Sequence, residues 1–347
     1  MKTKVNLNDY RRFRELLRVL LNRFSISPFH CSTIFLLLLS SPLWAGKRFQ
    51  TTGQAGYPIL KVPMSARAVG LGEAFVGGTN DAAAMEYNPA ALTTMKRMHL
   101  SALHMMYFGE SSLSGFSLGS RWGGNGWGIH YRQFSADDEA RDVQGTKSGD
   151  ITHADTVLAL AYARRFGKRF STGIEFKQVT REIQKSSILA GEEGVSVDNS
   201  VMALDLGLLW KLPRKATLGV SLQNIGSGAA FQYSGPKDSA VNPYNDKTQG
   251  ATEALPLQLR FGGVFPLGSI NYSWEVLQPK DNRAAAASGV EGFLTPSFVL
   301  RGGLRYQRYL DISMGFGVET RFLSFDYSFS PRIDLGTAHR VSLGMRF

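Results

Sequence analysis

The chain has 347 residues, of which 43% are hydrophobic, 11% aromatic and 19% charged, too apolar a composition for a disordered polymer. Its one segment greasy enough to approach a helical membrane span lies before residue 45, which excludes a bundle of transmembrane helices. The formal charge of +11 falls to +6 (32 basic and 26 acidic side chains) once residues 1–45 are set aside, and the remaining bases form no run, so no nucleic acid face is expected.

Residues 33–45 read TIFLLLLSSPLWA. A short apolar core, the helix breaker Pro42 and the small residue Ala45 predict a secretory signal peptide at 1–45, cleaved near Ala45. The run is too short for a membrane anchor. Cys31, the sole cysteine, precedes that core, so the mature chain has no disulfide, no thiol nucleophile and no thiolate metal site.

Residues 46–97 form the next unit. Over 57–95 the sequence does not alternate; it reads as short helices joined by glycines. Asn80 or Asp81 suits the cap of one helix. Asn88 suits the cap of the next, with Pro89 in its first turn, where no N–H is required, and Ala90 behind it. Few charges and many small side chains suit a confined lumen, which predicts an N-terminal plug.

From residue 98 to 347 the dominant period is two, the period of a strand. Leu323, Phe325, Tyr327 and Phe329 alternate with Ser324, Asp326, Ser328 and Ser330; Ile270, Tyr272, Trp274 and Val276 alternate with Asn271, Ser273 and Glu275. About fourteen such segments are expected, centred near residues 103, 117, 130, 160, 174, 206, 220, 261, 273, 291, 302, 315, 326 and 342. Each approaches the roughly 9–11 residues of a tilted membrane strand. Every second connection is short and turn-like: 123–126, 167–168, 213–215, 266–268, 295–296 and 319–321. The long ones (135–152, 181–199 and 226–254) fall on the other side, the asymmetry of an outer-membrane barrel. A soluble β-sandwich or propeller would alternate too. Charges in mid-strand on the polar faces, and aromatics near strand ends (Trp122, Trp127, Tyr162, Trp210, Tyr306), favour the membrane. Closure then follows, because an open edge has no water partners in lipid.

The expected fold is therefore all-β, a transmembrane antiparallel barrel of about 14 strands with a short helical N-terminal plug, in the outer membrane of a diderm bacterium. The final strand places Val341, Leu343, Met345 and Phe347 at alternate positions, which resembles the C-terminal signal read by the barrel-assembly machinery. Inward positions include Arg132, Lys177, Arg301, Arg305, Arg340 and Arg346. These are candidates to attract an acidic head group; pairing with Glu175, Asp205, Glu275 and Asp326 is the equally weighted alternative.

No catalytic chemistry is expected. Gly115 to Gly119 match G-x-S-x-G around Ser117, but that motif needs a sharp strand-to-helix turn, whereas this stretch continues as a strand. An enzyme would need Ser117 beside a histidine. The histidines show no metal spacing, and the acidic run Asp137, Asp138, Glu139 and Asp142 lacks a calcium-loop pattern. No cofactor or metal is expected.

The run SARAVGLGEAFVGGTNDAAAMEYNPAAL, residues 65–92, resembles the N-terminal block of the PorV/PorQ family within the FadL-like outer-membrane transporter superfamily, with Asp81 and the tripeptide Asn88-Pro89-Ala90 at its motif. The resemblance implies a fourteen-stranded barrel with an N-terminal hatch. FadL-like members pass hydrophobic molecules, such as fatty acids, into the wall through a kinked third strand, and Gly126 and Gly128 could permit such a kink. PorV-like members instead serve type IX secretion and bind exported proteins. A non-enzymatic transporter of hydrophobic molecules is the first expectation and a secretion component the second. Lipid, the assembly machinery, and a hydrophobic ligand or exported protein are the expected partners.

Overall fold

The structure, a computed structural model, describes residues 55–78, 80–106, 111–141, 144–186, 195–228, 232–234, 254–332 and 336–347. The leader and its cleavage site near Ala45 lie outside the described residues.

Fifteen strands follow in chain order: β1 His99–Met106, β2 Ser111–Trp122, β3 Asn125–Arg141, β4 Lys147–Phe166, β5 Phe170–Lys185, β6 Val195–Lys211, β7 Thr217–Ile225, β8 Gln232–Ser234, β9 Gln258–Leu267, β10 Ile270–Pro279, β11 Ala285–Phe293, β12 Phe298–Tyr306, β13 Leu310–Glu319, β14 Leu323–Arg332 and β15 Gly336–Arg346. Fourteen of them close a barrel, each antiparallel to its neighbours. β15 returns to β1, with His99 opposite Arg346 and Leu103 opposite Ser342. β8 is a three-residue addition that, among the described residues, pairs with β6, opposite Ser196–Asp198. All fourteen expected segments form barrel strands.

Alternation decides which way each strand faces. Leu158, Leu160, Phe176, Met202, Leu206, Leu300 and Leu304 point out and are exposed, while Val157, Ala159, Glu175, Lys177, Asp205 and Arg301 point in and are buried. Successive side chains leave a strand on opposite faces, so one period sorts lipid-facing from lumen-facing residues. Trp122 is 86% exposed, and Trp127 stacks obliquely on Tyr162 with ring centroids 4.6 Å apart, near the end of the barrel that carries the short turns. Val341, Leu343 and Met345 share the outward face of β15, and Phe347 follows exposed.

Two features depart from the sequence reading. Much of the chain expected as loops over 135–152 and 181–199 is strand: β3 and β4 run 17 and 20 residues, and β5 and β6 run 16 and 17. Above the apolar band the outward positions turn polar (Gln178, Thr180 and Glu182 in β5, Ser196, Asp198 and Ser200 in β6), so the outward apolar signal vanishes while backbone pairing continues. The second feature is a bulge. Leu204 pairs with Ile225 but Leu206 pairs with Leu222, so Asp205 faces both Gln223 and Asn224. Asn224 takes a φ of 61° and donates its N–H to Asp205 Oδ1 at 2.7 Å.

Candidate functional site

The inner face of the barrel is occupied by residues 57–95. Their short helices cannot bury themselves, and three of them have a side-chain cap. Ser65 Oγ accepts from Ala68 N at 3.1 Å before the helix Ala66–Gly70. Asp81 Oδ1 accepts from Ala83 N at 3.0 Å before the 3-10 turn Ala82–Glu86. Asn88 Oδ1 accepts from Ala90 N at 3.1 Å before Pro89–Thr94, with Pro89 in the first turn. Helix Ala66–Gly70 packs on β12 to β15, and Pro89–Thr94 packs on β2 to β6. Contact with opposite walls of a closed barrel places this segment in the lumen.

The wall is shaped to receive it. A Cβ built on Gly207 would lie 2.2 Å from Asn88 Oδ1, and one on Gly173 would lie 2.3 Å from the Ala90 nitrogen. In β3, a Cβ on Gly128 would strike Met85 Sδ at 2.4 Å, and one on Gly126 would strike Leu92 at 2.6 Å. The glycines of β3 therefore seat the luminal segment. They do not kink the strand: β3 stays in unbroken register with β2 from Asn125 to Ala136 and with β4 to Ala140.

Asn88 also donates to Val76 O at 3.0 Å and Leu208 O at 2.9 Å, so one side chain caps a helix, braces a loop and grips β6. Glu275 Oε2 accepts the Phe75 and Val76 N–H groups at 2.9 and 2.8 Å.

Ion pairs complete the anchorage. Arg67 meets Glu291 in a fork, with both bonds at 2.9 Å. Burial alone would lower the Arg67 pKa, but the Glu291 carboxylate outweighs it and the net direction is up. Glu73 accepts from Arg305 at 2.5 Å, Glu86 lies 3.6 Å from Arg132, and Lys61 pairs with Asp281. Tyr87 lies under the Arg260 guanidinium at 5.2 Å, and burial pushes its phenol up, so it stays neutral.

The six candidate cations are placed as follows. Arg132 also donates to Val62 O at 3.1 Å, and Lys177 lies 2.5 Å from Asp205. Arg301 sits between Glu291 at 2.9 Å and Asp326 at 2.6 Å. Arg305 holds Glu73, Arg340 donates to Ser330 Oγ at 2.9 Å, and Arg346 reaches Glu319 at 3.3 Å. Each thus has an acidic or hydroxyl partner in the wall or the luminal segment.

Ser117 lies directly across from His130 in the β2–β3 ladder, and His130 Nδ1 is 3.0 Å from Glu175 Oε1. Ser117 nevertheless donates to Glu86 Oε1 of the luminal segment at 3.0 Å, and Ser117, His130 and Glu175 are buried beneath that segment. A hydroxyl already given to a carboxylate under a filled lumen lacks both the base contact and the space that acyl transfer needs. Among the described residues, no three His, Cys, Asp or Glu side chains gather as a metal-binding group.

Space opens at the end opposite the chain's short turns. A cavity of about 990 Å³ lies between the overshooting β3–β4 hairpin and the luminal segment. Its floor is apolar, made of Pro58, Ile59, Val62 and Phe134. Beside the floor runs a polar chain: His153 Nε2 is 3.0 Å from Asp155 Oδ1, Arg181 bonds the same carboxylate at 2.8 and 3.1 Å, and its guanidinium lies 5.0 Å over the Tyr57 ring. Under the floor an apolar layer of inward Val157, Val179, Val201 and Leu113 packs on Ile59 and Leu60. Deeper still, the space beside His130 and Arg132 is about 20 Å³, room for about one water. The sequence offered no signal for this cavity, because its floor and wall lie some seventy residues apart and meet only after closure.

The model of an uncharacterised protein family, UPF0164, matches residues 41–347. No curated protein matches the chain. Among solved structures the chain is similar to CymD, a monoaromatic hydrocarbon channel, at 12% identity over 82% of this chain and 98% of that one, with a TM-score of 0.56. It is similar to the Pseudomonas putida toluene transporter TodX at 10% identity, covering 78% and 95%, with a TM-score of 0.52. A Pseudomonas aeruginosa FadL homologue is similar at 13% identity, covering 86% and 98%, with a TM-score of 0.51. At these identities the likeness is one of fold: the barrel has the FadL-like architecture.

Proposed function

Because the chain belongs to the uncharacterised protein family UPF0164 and closes as a FadL-like barrel, we propose that it is an outer-membrane channel for hydrophobic small molecules. The leader, cleaved near Ala45, exports it. The assembly machinery reads Val341, Leu343, Met345 and Phe347, and residues 46–97 act as a hatch. The observation that carries this reading is the cavity of about 990 Å³ with an apolar floor formed by the luminal segment itself. That volume suits a small organic ligand. A molecule resting on Ile59 and Val62 touches the element that fills the lumen, so passage requires that element to shift. Two structural neighbours are described as a monoaromatic hydrocarbon channel and a toluene transporter, which supports the substrate class.

The test is uptake of a neutral aromatic fluorophore into proteoliposomes. Uptake is expected to exceed that of protein-free vesicles, to saturate, and to slow in Phe134→Asp. Uptake at the protein-free rate would contradict the proposal. A second role, binding exported proteins as PorV-like members do, draws support from the resemblance of residues 65–92. The β3–β6 wall, which rises beyond the apolar band, gives such partners a surface. Stoichiometric co-purification of exported proteins, with uptake at the protein-free rate, would favour that role.

A further inference from the structure

The rim of the outer cavity carries an unequal set of charges. Asp137, Asp138, Glu139 and Asp150 line it together with Arg141 and Lys147. Both cations are already engaged: Arg141 with Glu139 at 2.6 Å and Gly145 O at 2.9 Å, Lys147 with Asp150 at 2.7 Å and Glu139 at 3.5 Å. Asp137 and Asp138 are exposed and have no basic partner among the described residues. Lower down, Asp155 takes up Arg181 in a fork, and Arg132 is held by Glu86 and Val62 O. Among the described residues around this cavity no cation is left over to receive an anionic head group, while Asp138, on the same inward face of β3 as Phe134 and Ala136, is left over to receive a cation, with Asp137 on the opposite face at the same level.

We propose that the cavity sorts apolar molecules by head-group charge, favouring cationic and uncharged ones and rejecting carboxylates. This rests on the channel proposed above, whose capture role is the binding of its substrate in this cavity, and names the substrate class. In the expected pose, an apolar body lies on Pro58, Ile59 and Val62 and its head points to Asp138, with Asp137 adding its charge from the other face of the same rim. The ring of Phe134, held edge-on to His153 at 5.8 Å, adds an aromatic wall that accepts a quaternary ammonium by cation–π attraction. For a fatty acid, the same pose would set a carboxylate among unpaired carboxylates.

The experiment compares three twelve-carbon probes: dodecyltrimethylammonium, dodecanol and dodecanoate. Each competes, below micellar concentrations at pH 8, against a neutral naphthylamine reporter on the full mature chain in lipid nanodiscs, with empty nanodiscs as the baseline. Dodecanoate is expected to compete about threefold to tenfold more weakly than dodecanol at low salt, the scale of one or two exposed charges acting through water-like surroundings. Dodecyltrimethylammonium is expected to compete at least as well as dodecanol. High salt and the double variant Asp137→Asn/Asp138→Asn, both at exposed positions, should level the three. Equal or tighter competition by dodecanoate in the unmodified chain would overturn the proposal and leave the capture role standing. Failure of the reporter to bind saturably would sink the capture role, and the charge preference with it.

Discussion

Glu291 ties the luminal segment to the wall. It is buried, it receives the Arg67 fork, and it also takes Arg301 Nε at 2.9 Å. Glu291→Gln leaves the buried Arg301 and the part-buried Arg67 short of a charge, and breaking a fully buried pair by removing one partner costs about 3–5 kcal/mol, the upper bound here. The expected outcome is faster hydrogen exchange over residues 66–72 with the barrel amides unchanged. Asn88→Ala removes two donors from buried carbonyls, at about 1–3 kcal/mol for groups left unsatisfied, and should loosen 76–90 in the same measurement. Ser117 gives a test of opposite sign. Its hydroxyl is committed to Glu86, so a fluorophosphonate that labels serine nucleophiles should leave it unmodified; a labelled Ser117 would restore the enzyme reading. None of these pairings was legible in the sequence. Glu291 stands ten residues from Arg301 but 224 from Arg67, and only closure of the barrel brings the second partner within reach.

At the scale of elements, the strands were legible because lipid imposes one rule on every outward position. Leu323, Phe325 and Tyr327 declare β14 without help from its neighbours. Legibility ends where the outward apolar residues end: the upper parts of β3 to β6 are polar at their outward positions and read as loops. Glycine was ambiguous for another reason. In β3 it signalled backbone freedom, whereas the structure uses Gly126 and Gly128 for the absence of a Cβ under Leu92 and Met85. This distinction can be tested at Gly207. Valine suits a strand, but its side chain would collide with Asn88 and Pro89. Gly207→Val should therefore keep the β-sheet circular dichroism of the barrel and expose residues 57–95 to protease. If the segment stayed protected, the wall glycines would not be its seat.

For the whole molecule, one division organises the rest: an apolar outside, a charged and hydrogen-bonded inside, and a luminal segment that satisfies much of that inside. The wall supplies Glu275, Glu291, Arg132 and Arg305, and the segment supplies backbone N–H groups, Arg67, Glu86 and Glu73 to meet them. Neither part would leave its polar groups satisfied alone. The measurement that tests this division most directly is a nitroxide scan of the protein in lipid bilayers. Labels would be placed one at a time on outward Leu158, Leu160, Leu206, Leu208, Leu300 and Leu304 and on inward Ala159 and Ala161. The outward labels should be relaxed by lipid-soluble oxygen and spared by a water-soluble nickel chelate, while the inward ones are shielded from both. Nickel access at the outward leucines, or loss of the two-residue alternation along β4, would contradict a lipid-facing barrel wall.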